Sequence, residues 1–181
     1  MDRKYFFFDI DNTIAVWPDS SIPDSTMETL YELRRRGHHV ALNTGRIQVD
    51  AKRFADLAQV RDFSADGGHS LTIEGSLLYM EGMDRGACIS YLEQLESHGI
   101  PWAVTDRNQL SRITPYKRIL DWHPNWDVFK TVVDPDFDFH QVENFFKIYA
   151  FFLEGEEEEK QIQHFTKKLI RYGEGCILFE P

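Results

Sequence analysis

Apolar positions along the chain alternate between strand-like runs and helical periods. Tyr5 to Ile10 is a β-rich run that stops at charged residues. Ser25-Thr26-Met27-Glu28 has the form of a capping box opening a helix with Met27, Leu30 and Tyr31 on one face, and Gly37 stops it. His39-Val40-Ala41-Leu42 predicts a second strand, ending at Asn43-Thr44-Gly45-Arg46, and Val49, Phe54 and Leu57 predict a second helix. Strand, helix, strand implies a parallel pair, and in such sheets ligands gather at the carboxyl ends of the strands. A third strand is expected near Asp62 to Ala65, then Asp66-Gly67-Gly68 and a hairpin with Leu71 and Ile73 on one arm, Gly75 at the bend and Leu77 to Met80 on the other.

The pattern changes beyond Gly82. Residues 84–98 predict an amphipathic helix carrying Cys88, Ile89, Leu92 and Leu95, stopped by Gly99 and Pro101, with a strand over Trp102 to Thr105. Residues 106–146, rich in aromatic, Pro and Asp residues, predict irregular structure with one or two short helices. Lys147 to Leu153 reads as a strand, Glu156 to Tyr172 as a helix with Ile162, Phe165, Leu169 and Ile170 inward, and Cys176 to Phe179 as a last strand. The expected fold is α/β in two parts, residues 1–82 and 83–181.

Composition limits what such a chain does. Its 181 residues, 42% hydrophobic, suffice for one good core or two small ones sharing a hinge. A formal net charge of -10 argues against nucleic acid as a partner. The one basic run, Arg34 to Arg36, falls at a helix end, where cations complement the dipole, and the acidic run Glu156 to Glu159 falls in a first helical turn. No stretch is long and apolar enough for a membrane span, and no signal-peptide order is present, so a cytoplasmic protein is expected. Cys88 and Cys176 have no metal-like spacing and read as reduced core residues.

The chemistry concentrates at Asp9 and Asp11, followed by Asn12 and Thr13. Two like charges at a buried strand end cost on the order of several kcal/mol unless a cation, hydrogen bonds or a substrate compensates, which points to function. One carboxylate can attack phosphorus while the other handles the proton of the leaving oxygen. Mg²⁺ suits such a pair, since it is held by one or two carboxylates with substrate phosphate and water. Thr44 and Gly45 can offer hydroxyl and amide donors to a phosphate, with Arg46 nearby as a fork. His123 between Asp121 and Asp127 matches no ligand rule. Trp102, Tyr116, Trp122, His123 and Trp126 are readable as a pocket lining or as core.

With those residues in place the sequence resembles the haloacid dehalogenase superfamily of phosphohydrolases. Its Asp-x-Asp-x-Thr motif is matched by Asp9-Ile10-Asp11-Asn12-Thr13, and its Ser or Thr at the next strand end by Thr44. Asn43-Thr44-Gly45-Arg46, Asp66-Gly67-Gly68 before a hairpin, and an α/β insert after the third strand resemble the Cof-type subfamily of sugar-phosphate phosphatases. The resemblance implies a partial Rossmann-like parallel-sheet core with an α/β cap, and small phosphorylated metabolites as substrates. It implies Asp9 as the nucleophile forming an aspartyl-phosphate, Asp11 as general acid/base, Thr44 as phosphate donor, and Mg²⁺ held by Asp9 and the Asp11 carbonyl. An Asn commonly stands where Asp66 is, so Asp66 reads equally as a substrate-side residue or a turn residue.

Two further motifs expected from the resemblance, a Lys steadying the nucleophile and a Gly-Asp-x-x-x-Asp segment completing the metal site, are not visible before Pro181. The expectation is weak or no turnover by this polypeptide alone. The aromatic run Tyr5 to Phe8, apolar on both faces, suits a strand with covered faces and two neighbours, so one open edge is expected: the sheet is completed by another chain, such as a second copy, or by altered topology, or the chain is a fragment. A non-catalytic phosphate- and metal-binding or regulatory protein, and a phosphotransferase, are the competing readings.

Overall fold

The structure is a computed structural model that describes residues 2–16, 20–122, 128–151, 169–171 and 176–179, the last two segments as backbone. The chain separates into two compact units, Met1–Glu81 and Gly82–Pro181.

The first unit runs β1 (Tyr5–Phe8), α1 (Asp24–Arg35), β2 (His39–Asn43), α2 (Gln48–Leu57), β3 (Asp62–Ala65), a 3₁₀ turn over Asp66–Gly68, β4 (Ser70–Ile73) and β5 (Ser76–Met80). Its sheet has the order β1-β2-β3-β4-β5, parallel through β3 and antiparallel beyond it. The register sets Phe8 beside Leu42 and Leu42 beside Phe63, so Phe6, Phe8, Val40, Leu42 and Phe63 share one face. Consecutive parallel neighbours joined by right-handed crossovers put both helices on the same side. Leu30 of α1 and Phe54 of α2 accordingly join Val40, Leu42 and Phe63 in one buried cluster.

That arrangement leaves the opposite face of β1 bare. Tyr5 is 63% and Phe7 66% exposed, and among the described strands β1 pairs with β2 alone. The open edge expected from the sequence is present among the described strands, whereas the expectation of two covered faces is corrected: among the described residues no helix or strand of this unit packs over Tyr5 and Phe7.

Helix α1 also differs in detail. It starts at Asp24 after Pro23, with no side-chain cap, because Pro suits the start of a helix without a donor to satisfy. Leu30 is buried and Met27 partly so, but Tyr31 is exposed. Gly37 ends the helix at φ +82, a conformation costly to residues with a Cβ. Arg35 and Arg36 pair with Glu32, and Arg34 donates to the Ala58 carbonyl beyond α2.

The second unit contains α3 (Arg85–Ser97), β6 (Trp102–Thr105), β7 (Ser111–Thr114), α4 (Arg118–Trp122), β8 (Lys130–Val133), a 3₁₀ turn over Phe139–Gln141, β9 (Lys147–Phe151), β10 (Leu169–Arg171) and β11 (Cys176–Phe179). Its sheet has the order β10-β11-β9-β6-β7-β8, antiparallel except for β7 with β8. Asp84 caps α3 by accepting from the Ala87 N–H. Cys88, Leu92 and Leu95 pack on Trp102, Val104, Ile148 and Ala150. Trp102 is fully buried, edge-on to Tyr116 and Phe139, so it is core. Burial pushes the Cys88 thiol up to about 12, with the nearby Asp84 charge adding to it, as suits a reduced core residue.

Two expectations fail here. Strands β7 and β8 occupy a stretch read as irregular, because short strands separated by polar turns carry little periodicity. Leu169 to Arg171, read as the end of a helix, is a strand pairing with β11, a tertiary pairing that overrides a local helical pattern. The rest of the expected helix, His123, Trp126, Asp127 and the side chains of Trp122 and Cys176 lie outside the described residues.

Trp102→Ala should lower the unfolding free energy of the second unit by about 3–5 kcal/mol in urea melts, as expected for a large aromatic lost from a packed core; a loss below about 1 kcal/mol would contradict the assignment. His140 supplies a pH test. Its ring meets Glu93 of α3 and Asp138, and these two carboxylates, Glu93 first, hold its pKa above the ordinary histidine value. A raised folded-state pKa gives stability that is complete below the unfolded value and lost as pH rises through the folded one. His140→Gln should therefore flatten the decline in Tm with rising pH above about 6.5; an unchanged slope would show that the cluster contributes nothing.

Candidate active site

Three consecutive parallel strands end side by side, and each end carries a candidate residue. Asp9 follows β1, Thr44 follows β2 and Asp66 follows β3. Parallel pairing does this automatically, since it points all three carboxyl ends the same way.

After β1 the chain turns at once. The Ile10 carbonyl accepts from the N–H groups of Thr13, Ile14 and Ala15, and Asn12 adopts φ +56. Ile10 and Ile14 drop into the core while Asp9 stays exposed and Asp11 half-exposed. This is why two acids can stand at the end of an apolar run: the apolar residue between them anchors the turn. Thr13 is exposed.

Thr44 is buried, with its N–H bonded to the Ser64 carbonyl and its hydroxyl accepting from the Arg46 N–H. Gly45 lies between them, half-buried. Asp66 is also buried, at φ +53, and acts as a bracket. Its N–H donates to the Arg46 carbonyl, while its Oδ2 accepts from the Gln48 N–H at the start of α2 and from the Ser70 hydroxyl. The loops after β2 and β3 are thus tied together, with Gly67 also donating to the Thr44 carbonyl. Asp66, directly after β3, thus serves as a capping acceptor for the first N–H of α2.

Arg46 carries the strongest electrostatics. Its Nε and Nη2 donate to the two oxygens of Asp11 at 2.9 and 2.6 Å, and its Nη1 donates to Asp50 at 2.6 Å. Asp50, buried in the first turn of α2, also accepts from Arg53, and the Arg46 guanidinium lies 4.5 Å from the Phe54 ring centroid. Burial works to lower the Arg46 pKa, but the hydrogen bonds it donates to Asp11 and the charges of Asp50 and Asp11 more than offset it, so the net shift is upward. From the sequence, Phe54 was read as a helix position alone, and Asp50 and Arg53 were not singled out. The signal was the i, i+4 spacing of Arg46 and Asp50 across a helix start.

Fit to a divalent cation can be judged from the oxygens. Among the described residues no group of three His, Cys, Asp or Glu side chains converges. Asp11's carboxylate is engaged by Arg46, which leaves the exposed Asp9 carboxylate and the Asp11 carbonyl as hard oxygen donors. A donor set this small fits Mg²⁺, which keeps several waters and takes phosphate oxygens as ligands.

Strand order and the placement of acids beyond parallel strand ends define an α/β core of the kind in which ligands gather at those ends. The sequence profile of the haloacid dehalogenase-like hydrolases matches residues 6–176, and the chain belongs to that family. A Bacillus subtilis (strain 168) protein, "Putative phosphatase YkrA", is 34% identical over 96 residues, 53% of this chain and 37% of its own length. The match thus spans little more than a third of that curated relative. Among solved structures, a Geobacillus kaustophilus HTA426 protein superposes with a TM-score of 0.74 at 23% identity, over 99% of this chain and 70% of its own. BT4131, a subclass IIB sugar phosphatase of the same superfamily, superposes with a TM-score of 0.69 at 18% identity and the same coverage. At these identities the superpositions establish the fold.

Asp66→Ala should lower stability by about 2–3 kcal/mol, combining a lost helix-cap acceptor with a left-handed backbone now carrying Ala. Asp66→Asn, which keeps an acceptor and tolerates that backbone, should lose less than half as much in the same thermal melts. Equal losses would contradict the bracket role.

Proposed function

We propose that the chain is the nucleophile-bearing part of a cytoplasmic, Mg²⁺-dependent phosphatase acting on small phosphorylated metabolites such as sugar phosphates. The observation that carries this is the exposed Asp9 carboxylate at the end of β1, one strand from the Thr44 donor and followed by Asp11. Family membership, the name of the Bacillus subtilis relative and the sugar phosphatase among the structural neighbours support the same reading.

In this reading an Asp9 oxygen attacks phosphorus and the bond from phosphorus to the substrate oxygen breaks, while Asp11 donates its proton to that leaving oxygen. The product alcohol departs and leaves Asp9 as an aspartyl-phosphate. Water then attacks phosphorus, Asp11 takes the water's proton, and the bond to Asp9 breaks to release inorganic phosphate. The Thr44 hydroxyl and the Gly45 amide hold the phosphoryl oxygens. Asp9 and the Asp11 carbonyl would hold Mg²⁺, whose chemistry when bound is to neutralise phosphate charge. The second unit serves as the cap that selects the alcohol portion, and a second copy or further chain covers the open edge of β1.

One observation favours a second reading, binding without turnover. The first unit has two lysines, Lys4 ahead of β1 and Lys52, which pairs with Asp56 on α2. Neither stands at the strand ends to steady Asp9. Such a protein would gain Tm with Mg²⁺ and phosphate yet hydrolyse nothing.

The deciding experiment is Mg²⁺-dependent phosphate release from p-nitrophenyl phosphate by the chain and by Asp9→Asn. Slow release in the parent and at least about 100-fold less in the variant is expected, since removing a nucleophile removes the covalent path. Equal rates in the two, or none in a folded parent, would overturn the phosphatase reading for this chain.

A further inference from the structure

Arg46 was expected to serve as a phosphate fork, but its surroundings give it another task. The guanidinium has five N–H donors in fixed directions, and three of them are already committed to two carboxylates. One edge grips both oxygens of Asp11 and the far nitrogen reaches Asp50, whose side chain is only 3% exposed. The plane is held against Phe54, and Asp50 is itself steadied by Arg53.

We infer that Arg46 is a positioning residue for Asp11, mounted on Asp50, and not primarily a ligand of the substrate phosphate. The inference rests on the phosphatase reading for the role of Asp11. Its physical basis is the difference in footing between the two ends of the clamp. Asp50 stands in the first turn of α2, a helix fixed to the loop after β3 by the hydrogen bond from the Gln48 N–H to Asp66. Asp11 stands on a tight turn after β1, with its side chain 43% exposed and free of the core. Left alone, a half-exposed Asp side chain samples several rotamers. A general acid works only within hydrogen-bond reach of the oxygen it protonates, and misplacement by about 1 Å can cost about 100-fold. A bidentate guanidinium removes that freedom, and a Lys ammonium, a point charge on a flexible stem, does not. Asp11 remains able to act, because two carboxylate oxygens offer about four lone-pair sites and the fork uses two.

The test compares Arg46→Lys and Asp50→Asn with the parent chain in Mg²⁺, using two substrates of opposite demand. p-Nitrophenolate leaves with little help from an acid, whereas the alkoxide of glucose 6-phosphate needs a proton. Both variants should lose at least about tenfold more kcat/KM on glucose 6-phosphate than on p-nitrophenyl phosphate, since general acid catalysis is worth about 10²–10⁴-fold. Equal loss on the two substrates overturns the inference, because a phosphate ligand or a purely structural residue serves both alike. A readout without turnover is the ¹⁵N signal of the Arg46 Nε–Hε group. It should move on Asp11→Asn and on Asp50→Asn. It should stay in place when inorganic phosphate with Mg²⁺ is added at concentrations that move the Gly45 amide. An Arg46 signal that follows phosphate, or ignores Asp11→Asn, overturns the inference. A folded parent that hydrolyses neither substrate counts against the phosphatase reading, and the Arg46 signal then still decides whether the clamp exists.

Discussion

The parallel registration of β1, β2 and β3 is the constraint on which the rest depends. Ladder hydrogen bonds set Phe8, Leu42 and Phe63 side by side on one face, and this alone brings the loops after the three strands into one row. A slip of one residue in either pairing would turn Val40 and Leu42 out of the core and carry Thr44 away from Asp9. The same register that buries the aliphatic face therefore places the chemistry. Stability and function are set by one choice of pairing.

Around that row the polar groups form a hierarchy of footing. Asp66, buried and left-handed, locks the start of α2. Helix α2 presents Asp50, Asp50 holds Arg46, and Arg46 holds Asp11. Among the described residues, Asp9, on the most exposed position of the row, has no such tether. In the proposed mechanism the tether fixes the direction of the acid, Asp11, and leaves the Asp9 carboxylate open to Mg²⁺ and the phosphoryl group. The two acids stand two residues apart but differ in environment, as the two roles proposed for them require.

Much of this was legible in the residues. Short apolar runs ending in Asp9 and Thr44, with Gly37 and Gly75 at the breaks, specify the strands and turns of the first unit because local chemistry and tertiary pairing agree there. The bare face of β1 was less legible: Tyr5 to Phe8 reads as covered on both sides, and only the placing of both crossover helices on one face shows Tyr5 and Phe7 uncovered. In the second unit β7 and β8 escaped notice because each is four residues long with mixed polarity. Leu169 to Arg171 was misread because apolar residues at helical spacing can pair with β11 as well. At the site, Asp9, Asp11, Thr44 and Arg46 announced themselves by motif. Asp50 did not, since an acid in a first helical turn is ordinarily a solvated one, and only its burial between two arginines marks it out.

The central claim is that Asp9 at the end of β1 is the group that receives the phosphoryl group. Its most direct test is to mix the chain with ³²P-labelled phosphoryl donor and Mg²⁺, quench in acid within the first turnover, and locate the label by peptide mass spectrometry. The account predicts one acid-stable, base-labile phosphoryl group on the peptide containing residues 4–14, at Asp9. Label on another residue, or phosphate release with no labelled peptide at any time, would contradict it.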